Sequence, residues 1–351
     1  MPLLNRPEGR SGPSNPESQP DALIEAIRRA VEREAPGART VSRTAGPVAG
    51  PSAGIRRGWL ESCANPDCRT GWMQLWRSRT TPIFEGGWSC SPGCTEARVR
   101  EAVRRESRGR AESLRPHRHR IPFGLLMLEK GWITAEQLKS ALASQRQHKA
   151  GKLGSWLVRQ EGVSEELVTR AVALQWSCPV LPVATHSPSA LAPLMPRLFV
   201  DAFGALPLRR SVGRLLYLGF ESRPDPVLAL AVERMTGFKV ECGVVADSEF
   251  GQAHERALRA RYPSVELVEA MSPEAVVRVL ARAVEKAKPA EAKLVRVHDL
   301  LWLRLFRRTG EGVMPEIDSV EDVLCTVAGQ EFLRVNFYVS GLTYLVLRIR
   351  D

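Results

Sequence analysis

Pro122–Gln145 reads PFGLLMLEKGWITAEQLKSALASQ, and Lys152–Gln175 reads KLGSWLVRQEGVSEELVTRAVALQ. Shifted by thirty residues, Gly124, Met127, Leu128, Ile133, Leu138, Ala141, Leu142 and Gln145 fall on Gly154, Leu157, Val158, Val163, Val168, Ala171, Val172 and Gln175. A repeat of this length marks one supersecondary unit used twice. Each copy reads as a helical hairpin with one apolar stripe, and neither has enough core to stand alone. Thr134 followed by Ala135-Glu136-Gln137 has the spacing of a capping box. Ser164 followed by Glu165 and Glu166 puts two anions on a first helical turn.

Downstream of the repeat the pattern changes. Ala205–Arg209 and Leu215–Phe220 read as strands around a turn at Ser211–Gly213, and Val227–Met235 as a helix stopped near Gly237. Lys239–Val245 reads as a strand, and Asp247 as the cap of a helix reaching about Tyr262. Residues 263–351 supply a helix at Pro273–Ala287 and a strand at Leu300–Phe306. A short helix after Asp318 and two final strands, Phe332–Val339 and Thr343–Ile349, follow. The alternation of the last two suits a half-covered antiparallel sheet.

Upstream, residues 1–57 are rich in Pro, Gly, Ser and Arg and should be disordered, with one short amphipathic helix at Asp21–Glu34. Next come Cys63 and Cys68, around CANPDC, and Cys90 and Cys94, around CSPGC. Asn65, Pro66, Asp67, Pro92 and Gly93 are turn formers that bring each pair of sulfurs together. Two close pairs give the four soft ligands that tetrahedral zinc requires. The second pair opens a helix at about Thr95–Ser107, and Trp72, Trp76 and Trp88 would roof a small core. Knuckle, hairpin and ligand-bearing helix describe a zinc-ribbon or treble-clef module. Cys178, Cys242 and Cys325 sit singly in apolar surroundings as buried thiols.

The chain has 351 residues and a net charge of +11. Nine Arg against four Glu lie between Thr95 and Arg120. Such a stretch can face nucleic acid, an anionic membrane or an acidic partner, and can equally be a solvated helix and linker. Seven Cys without a secretory signal argue for thiols or metal ligands rather than disulfides. With no apolar run of transmembrane length, cytoplasmic residence is the expectation. The P-loop, H-E-x-x-H, G-x-S-x-G and G-x-G-x-x-G signatures are absent, and no nucleophile–base set stands out, so catalysis is not expected.

The repeated motif resembles that of the MshEN family, the N-terminal domain of type II secretion and type IV pilus assembly ATPases. The resemblance continues through ALAPLMPRLFVDAFGALPLRRSVGRLLYLGF and RMTGFKVECGVVADSEFGQAHERAL, and so covers about residues 121–262. More faintly, EAVVRVLARAVEKAKPAEAKLVRV resembles the helix and strand that follow in those ATPases. The resemblance implies binding of cyclic di-GMP, as in some members, by Pro122, Phe123, Gly124 and Gln145 of the first copy and Lys152, Leu153, Gly154 and Gln175 of the second. Glycine lets backbone approach the ribose-phosphate ring, and an Arg fork would meet guanine and phosphate. Here Pro122 and Lys152 occupy the two Arg positions. Glu161 replaces the second copy's inner Gly, leaving Gly162 to take the left-handed turn. Arg118 or Arg120 is placed to substitute for the missing Arg.

The expected molecule is α+β. It has a low-complexity tail (1–57), a four-cysteine zinc module (58–108), a basic linker (109–120), an MshEN-like domain of two helical hairpins plus a small α/β part (121–262), and a C-terminal α+β domain (263–351). The expected function is a non-catalytic regulatory or docking protein that binds a secretion or pilus component, or cyclic di-GMP itself. The plainer reading of the repeat is a helical core that kept its packing pattern and lost its ligand. The alternative is a zinc-dependent nucleic-acid-binding regulator that uses the Arg98–Arg120 stretch.

Overall fold

A computed structural model describes residues 62–69, 82–108, 120–183, 187–308, 314–327 and 346–349. The expectations for residues 1–57, Trp72, Trp76, linker residues 109–119 and strand 332–339 lie outside them.

The repeat folds as read. Helices α2 (Phe123–Glu129) and α3 (Ala135–His148) form the first hairpin, and α4 (Leu153–Glu161) and α5 (Glu165–Trp176) the second. α2 packs on α5 and α3 on α4, so the hairpins lie against each other. Their common core is built from matched positions: Met127 with Leu157, Ile133 with Val163, and Ala141 with Ala171. Both expected caps form. Thr134 makes a full capping box with Gln137, and Ser164 accepts from the Leu167 N–H. The inner turns use Gly131 (φ +67°) and Gly162 (φ +64°). The second copy therefore shifts its left-handed residue by one place around Glu161, which a residue with Cβ would resist.

The chain continues through α6 (Pro188–Leu191), a 3-10 turn (Ala192–Leu194) and α7 (Arg197–Phe203). Then come β3 (Ala205–Ser211), β4 (Leu215–Phe220), α8 (Pro226–Thr236), β5 (Lys239–Val244) and α9 (Asp247–Leu258). β3 and β4 are antiparallel and β4 and β5 parallel, in a three-stranded sheet. The N-cap of α9 is Ala246; Asp247 is its first helical residue and does not cap it.

A second sheet is made of β6 (Ser264–Ala270), β7 (Glu291–Val297), β8 (Leu300–Phe306), β9 (Val320–Val327) and β10 (Val346–Ile349), together with a hairpin from far upstream, β1 (Ile83–Phe84) and β2 (Gly87–Trp88). Among the described residues the order is β10-β6-β9-β8-β7-β1-β2. Helix α10 (Pro273–Ala287) covers one face, joined there by α1 (Pro92–Arg108). The other face, with Leu267, Val295, Val297, Trp302 and Leu324, belongs to the core of the three-stranded sheet. One apolar core therefore runs through the seam expected at 262/263.

One local expectation is corrected. After Asp318 there is a single 3-10 turn, Ile317–Ser319, and then strand β9 instead of a helix. Its charged pair Glu321-Asp322 disguises it, because the partner that neutralises buried Asp322 is Arg304 on the neighbouring strand. The last strand pairs in parallel with β6; its expected antiparallel partner, 332–339, lies outside the described residues.

Candidate functional site

The motif residues of the hairpins are in contact with one another. A Cβ on Gly124 would stand 2.6 Å from Leu138 Cδ1, and one on Gly154 2.6 Å from Val168 Cγ1. Leu138 and Val168 are themselves matched positions of the repeat. Here the glycines let a helix start approach the second helix of its own hairpin. The glutamines cross over. Gln145 Nε2 donates to the Gly151 carbonyl (3.0 Å), at the entrance to the second copy. Gln175 Nε2 donates to the Ile121 carbonyl (2.9 Å), at the entrance to the first. Each copy thus ties down the start of the other, as a pseudo-twofold pair requires.

Where the second hairpin meets the three-stranded sheet there is a cleft of about 400 Å³, whose walls include Phe123, Leu153, Gly154, Gln175 and Trp176. The Lys152 ammonium pairs there with Glu221 and lies 3.6 Å from Asp247. All three side chains are more than a third exposed, so the contact is weak but holds the ammonium in place. Burial, with Asp247 beside it, pushes the Glu221 carboxyl above its ordinary range, against the pull of Lys152. At the rim the Arg120 guanidinium stacks 3.4 Å from the centre of the Trp176 ring, with Arg223 at 5.2 Å. Burial and then Arg223 lower the Arg120 pKa. Glu165 closes another side, accepting from the Ser248 N–H (2.6 Å) and hydroxyl (2.8 Å).

Five of the eight residues expected to bind ligand therefore line one cleft: Phe123, Lys152, Leu153, Gly154 and Gln175. Pro122 stands just outside it as the N-cap residue of α2. Gly124 packs inside the first hairpin, and Gln145 ties the loop before the second. Sequence reasoning missed Glu221, Arg223 and Asp247. They come from the loop after β4 and the start of α9, some seventy residues and more beyond Lys152, and no periodicity connects them to the repeat.

The four cysteines do converge. Their sulfurs all lie within 4.8 Å of one another, with Cys68–Cys90 at 3.5 Å and Cys90–Cys94 at 3.6 Å, and none is in a disulfide. Zinc–sulfur bonds of about 2.3 Å in a tetrahedron put sulfurs roughly 3.8 Å apart. Two donors already point at sulfur: the Cys90 N–H at Cys63 Sγ (3.4 Å) and Asn65 Nδ2 at Cys94 Sγ (3.4 Å). Burial, together with the neighbouring thiols, pushes Cys90 up to about 12, so a bound cation is what would stabilise the thiolate. The tight turn at 63–68, the β1–β2 hairpin and α1 supply the ligands in the expected order, and Trp88 covers the cluster.

The arginines of α1 are largely engaged within the protein. Arg98 donates to the Gly87 carbonyl, Arg100 pairs with Glu96 (2.6 Å), and Arg105 takes both Glu85 and Glu106. Among the described residues no helix is long and apolar enough to cross a membrane.

No family model and no curated protein matches the sequence. Among solved structures, the chain is similar over 39% of its length to MshE with cdg, spanning 99% of that chain at 25% identity and a TM-score of 0.33. It is also similar over 38% and 37% of its length to two crystal forms of the N-terminal domain of XpsE. It spans 92% and 90% of those chains, at 22% and 21% identity and TM-scores of 0.29 and 0.22.

Proposed function

We propose that this chain is a non-catalytic docking and regulatory protein, built around an MshEN-type pair of helical hairpins and stapled by zinc. The observation that carries the reading is a set of large apolar side chains left exposed in and near the end of α5. Leu174 is 48% exposed, Val180 47% and Ile121 43%, and the Gln175 bond fixes Ile121 beside that helix end. Large apolar side chains left in water are where another protein would dock. By its resemblance, the partner is a component of a secretion or pilus apparatus.

The test is capture from an extract of the source cells by the tagged full chain. A partner retained by wild type should be lost with Leu174→Asp and kept with Val212→Asp, which alters a fully exposed hairpin tip. Retention unaffected by Leu174→Asp, or no retained protein, would overturn the reading.

Zinc on Cys63, Cys68, Cys90 and Cys94 acts as a structural metal. A free-thiol protein with a thiolate metal set suits a reducing compartment, so we place it in the cytoplasm.

One observation favours a second reading, cyclic di-GMP as ligand: the cleft joins Lys152, Gly154 and Gln175 to an arginine–tryptophan platform. Against tight binding, Pro122 offers no donor, Lys152 is paired with two carboxylates, and the Gln175 amide is bonded to backbone.

A further inference from the structure

The zinc module is not a separate bead on the chain. Its two-residue strands are too short to be stable alone. β1 extends the large sheet instead: Phe84 pairs in parallel with Ala292, and the Glu85 N–H donates to the Ala292 carbonyl (2.7 Å). The helix that carries Cys94 in its first turn lies along α10, burying Val99, Ala102 and Val103 in the same core as Val276 and Leu280. Twelve residues beyond Cys94, about 18 Å along the helix, stands Glu106. The residue is 7% exposed. It accepts two bonds from the Arg234 guanidinium of α8 (2.7 and 3.0 Å), one from Arg105 Nε (3.1 Å) and one from the Arg296 N–H of β7 (3.2 Å). One helix therefore holds a metal ligand at one end, core contacts in the middle and a buried carboxylate between two sheets at the other.

We propose that the metal centre is a clasp, resting on the zinc reading above: bound zinc seats α1, and α1, through Glu106, locks α8 of the three-stranded layer to β7 of the large sheet. The physical reason is that α1 is fixed at both ends, by the cysteine cluster and by Glu106, with Val99, Ala102 and Val103 held in the core between them. Removing the tetrathiolate anchor frees its first turn and loosens the β1–β2 hairpin at the sheet edge. The core contacts keep the helix docked, but a small shift along its axis leaves the Glu106 carboxylate misaligned with Arg234, and an imperfectly paired buried charge is costly. The clasp thus transmits metal state from the cysteines to α8, which packs against β5 of the three-stranded sheet as well as β7.

The test is hydrogen exchange on the full chain, zinc-loaded and after chelation, with metal content measured in parallel. Chelation should speed exchange about tenfold or more in α1, in β7 and in α8, and leave α2–α5 unchanged. Glu106→Gln with zinc bound should retain one zinc per chain yet show the faster exchange at α8. That variant decides the matter if the chelated protein aggregates. Absence of zinc, both as purified and after loading, would remove the zinc reading and the clasp together. Zinc that binds, but whose removal changes exchange only at residues 62–91, would overturn the clasp alone, as would Glu106→Gln that protects α8 as wild type does.

Discussion

Gly124 and Gly154 occupy equivalent places, yet their neighbours differ in stiffness. An added Cβ meets the end of Leu138 in the first copy and the branched Val168 in the second, each at 2.6 Å. Alanine would gain up to about 1 kcal/mol of helix propensity at either site. Overpacking works against that gain, by about 1–3 kcal/mol where the neighbour cannot move. Leu138 can turn its tip away; Val168 has one favoured rotamer in a helix. Gly154→Ala should therefore lower stability by about 1–2 kcal/mol and Gly124→Ala by less than ~1 kcal/mol, read from urea denaturation midpoints. Equal effects would show that the packing differs from that described. These positions were legible in the sequence, but the reason for glycine was not. The repeat showed that backbone had to come close to something, and only the folded hairpin shows that Leu138 and Val168 are that something. The cysteines were legible for the opposite reason: turn formers beside each pair fix their geometry locally.

Among the elements, those whose limits are set locally were readable, such as the helices begun by Thr134 and Ser164 and α10 begun by Ser272-Pro273. Those that depend on a distant partner were not. β9 holds Asp322 fully buried, where it accepts from Arg304 at two oxygens and from the Trp302 indole (2.7 Å each). Arg304 Nη1 reaches further, to the carbonyls of Pro193 and Leu194 in the turn after α6 (2.8 Å each). A carboxylate in an apolar strand makes sense only once that arginine is in place. Asp322→Ala strands the guanidinium in the core and should cost about 3–5 kcal/mol in denaturant unfolding. A loss under ~1 kcal/mol, the range of an exposed pair, would refute the buried arrangement. Glu106 makes the corresponding link through α1. Burial raises its pKa, but Arg234 and Arg105 outweigh burial and hold it below the ordinary glutamate range. A depressed carboxyl pKa gives stability that is present above the ordinary range, near about 4.3, and is lost as pH falls through the folded value. Wild type should thus lose stability more steeply than Glu106→Gln between about pH 6 and 3 in thermal melts. Parallel slopes would remove the carboxylate from that role.

At the scale of the molecule, a module from residues 82–108 forms the edge of a sheet otherwise built from residues 264–349, and one core spans the two sheets. Linear reading separated these parts, because pairing of Phe84 with Ala292 leaves no trace in either segment. Within that frame the hairpin pair keeps its signature glycines and glutamines for holding itself together. A calorimetric titration with cyclic di-GMP measures this most directly. By the MshEN resemblance, Pro122 and Lys152 stand where two bidentate guanine contacts would be made, and their absence corresponds to a deficit on the order of 30-fold or more. Wild type should accordingly bind weakly or not at all, and Pro122→Arg with Lys152→Arg should tighten binding by about that factor. Saturable sub-micromolar binding by the wild-type chain, abolished by Lys152→Ala, would contradict it and make the cleft a nucleotide sensor.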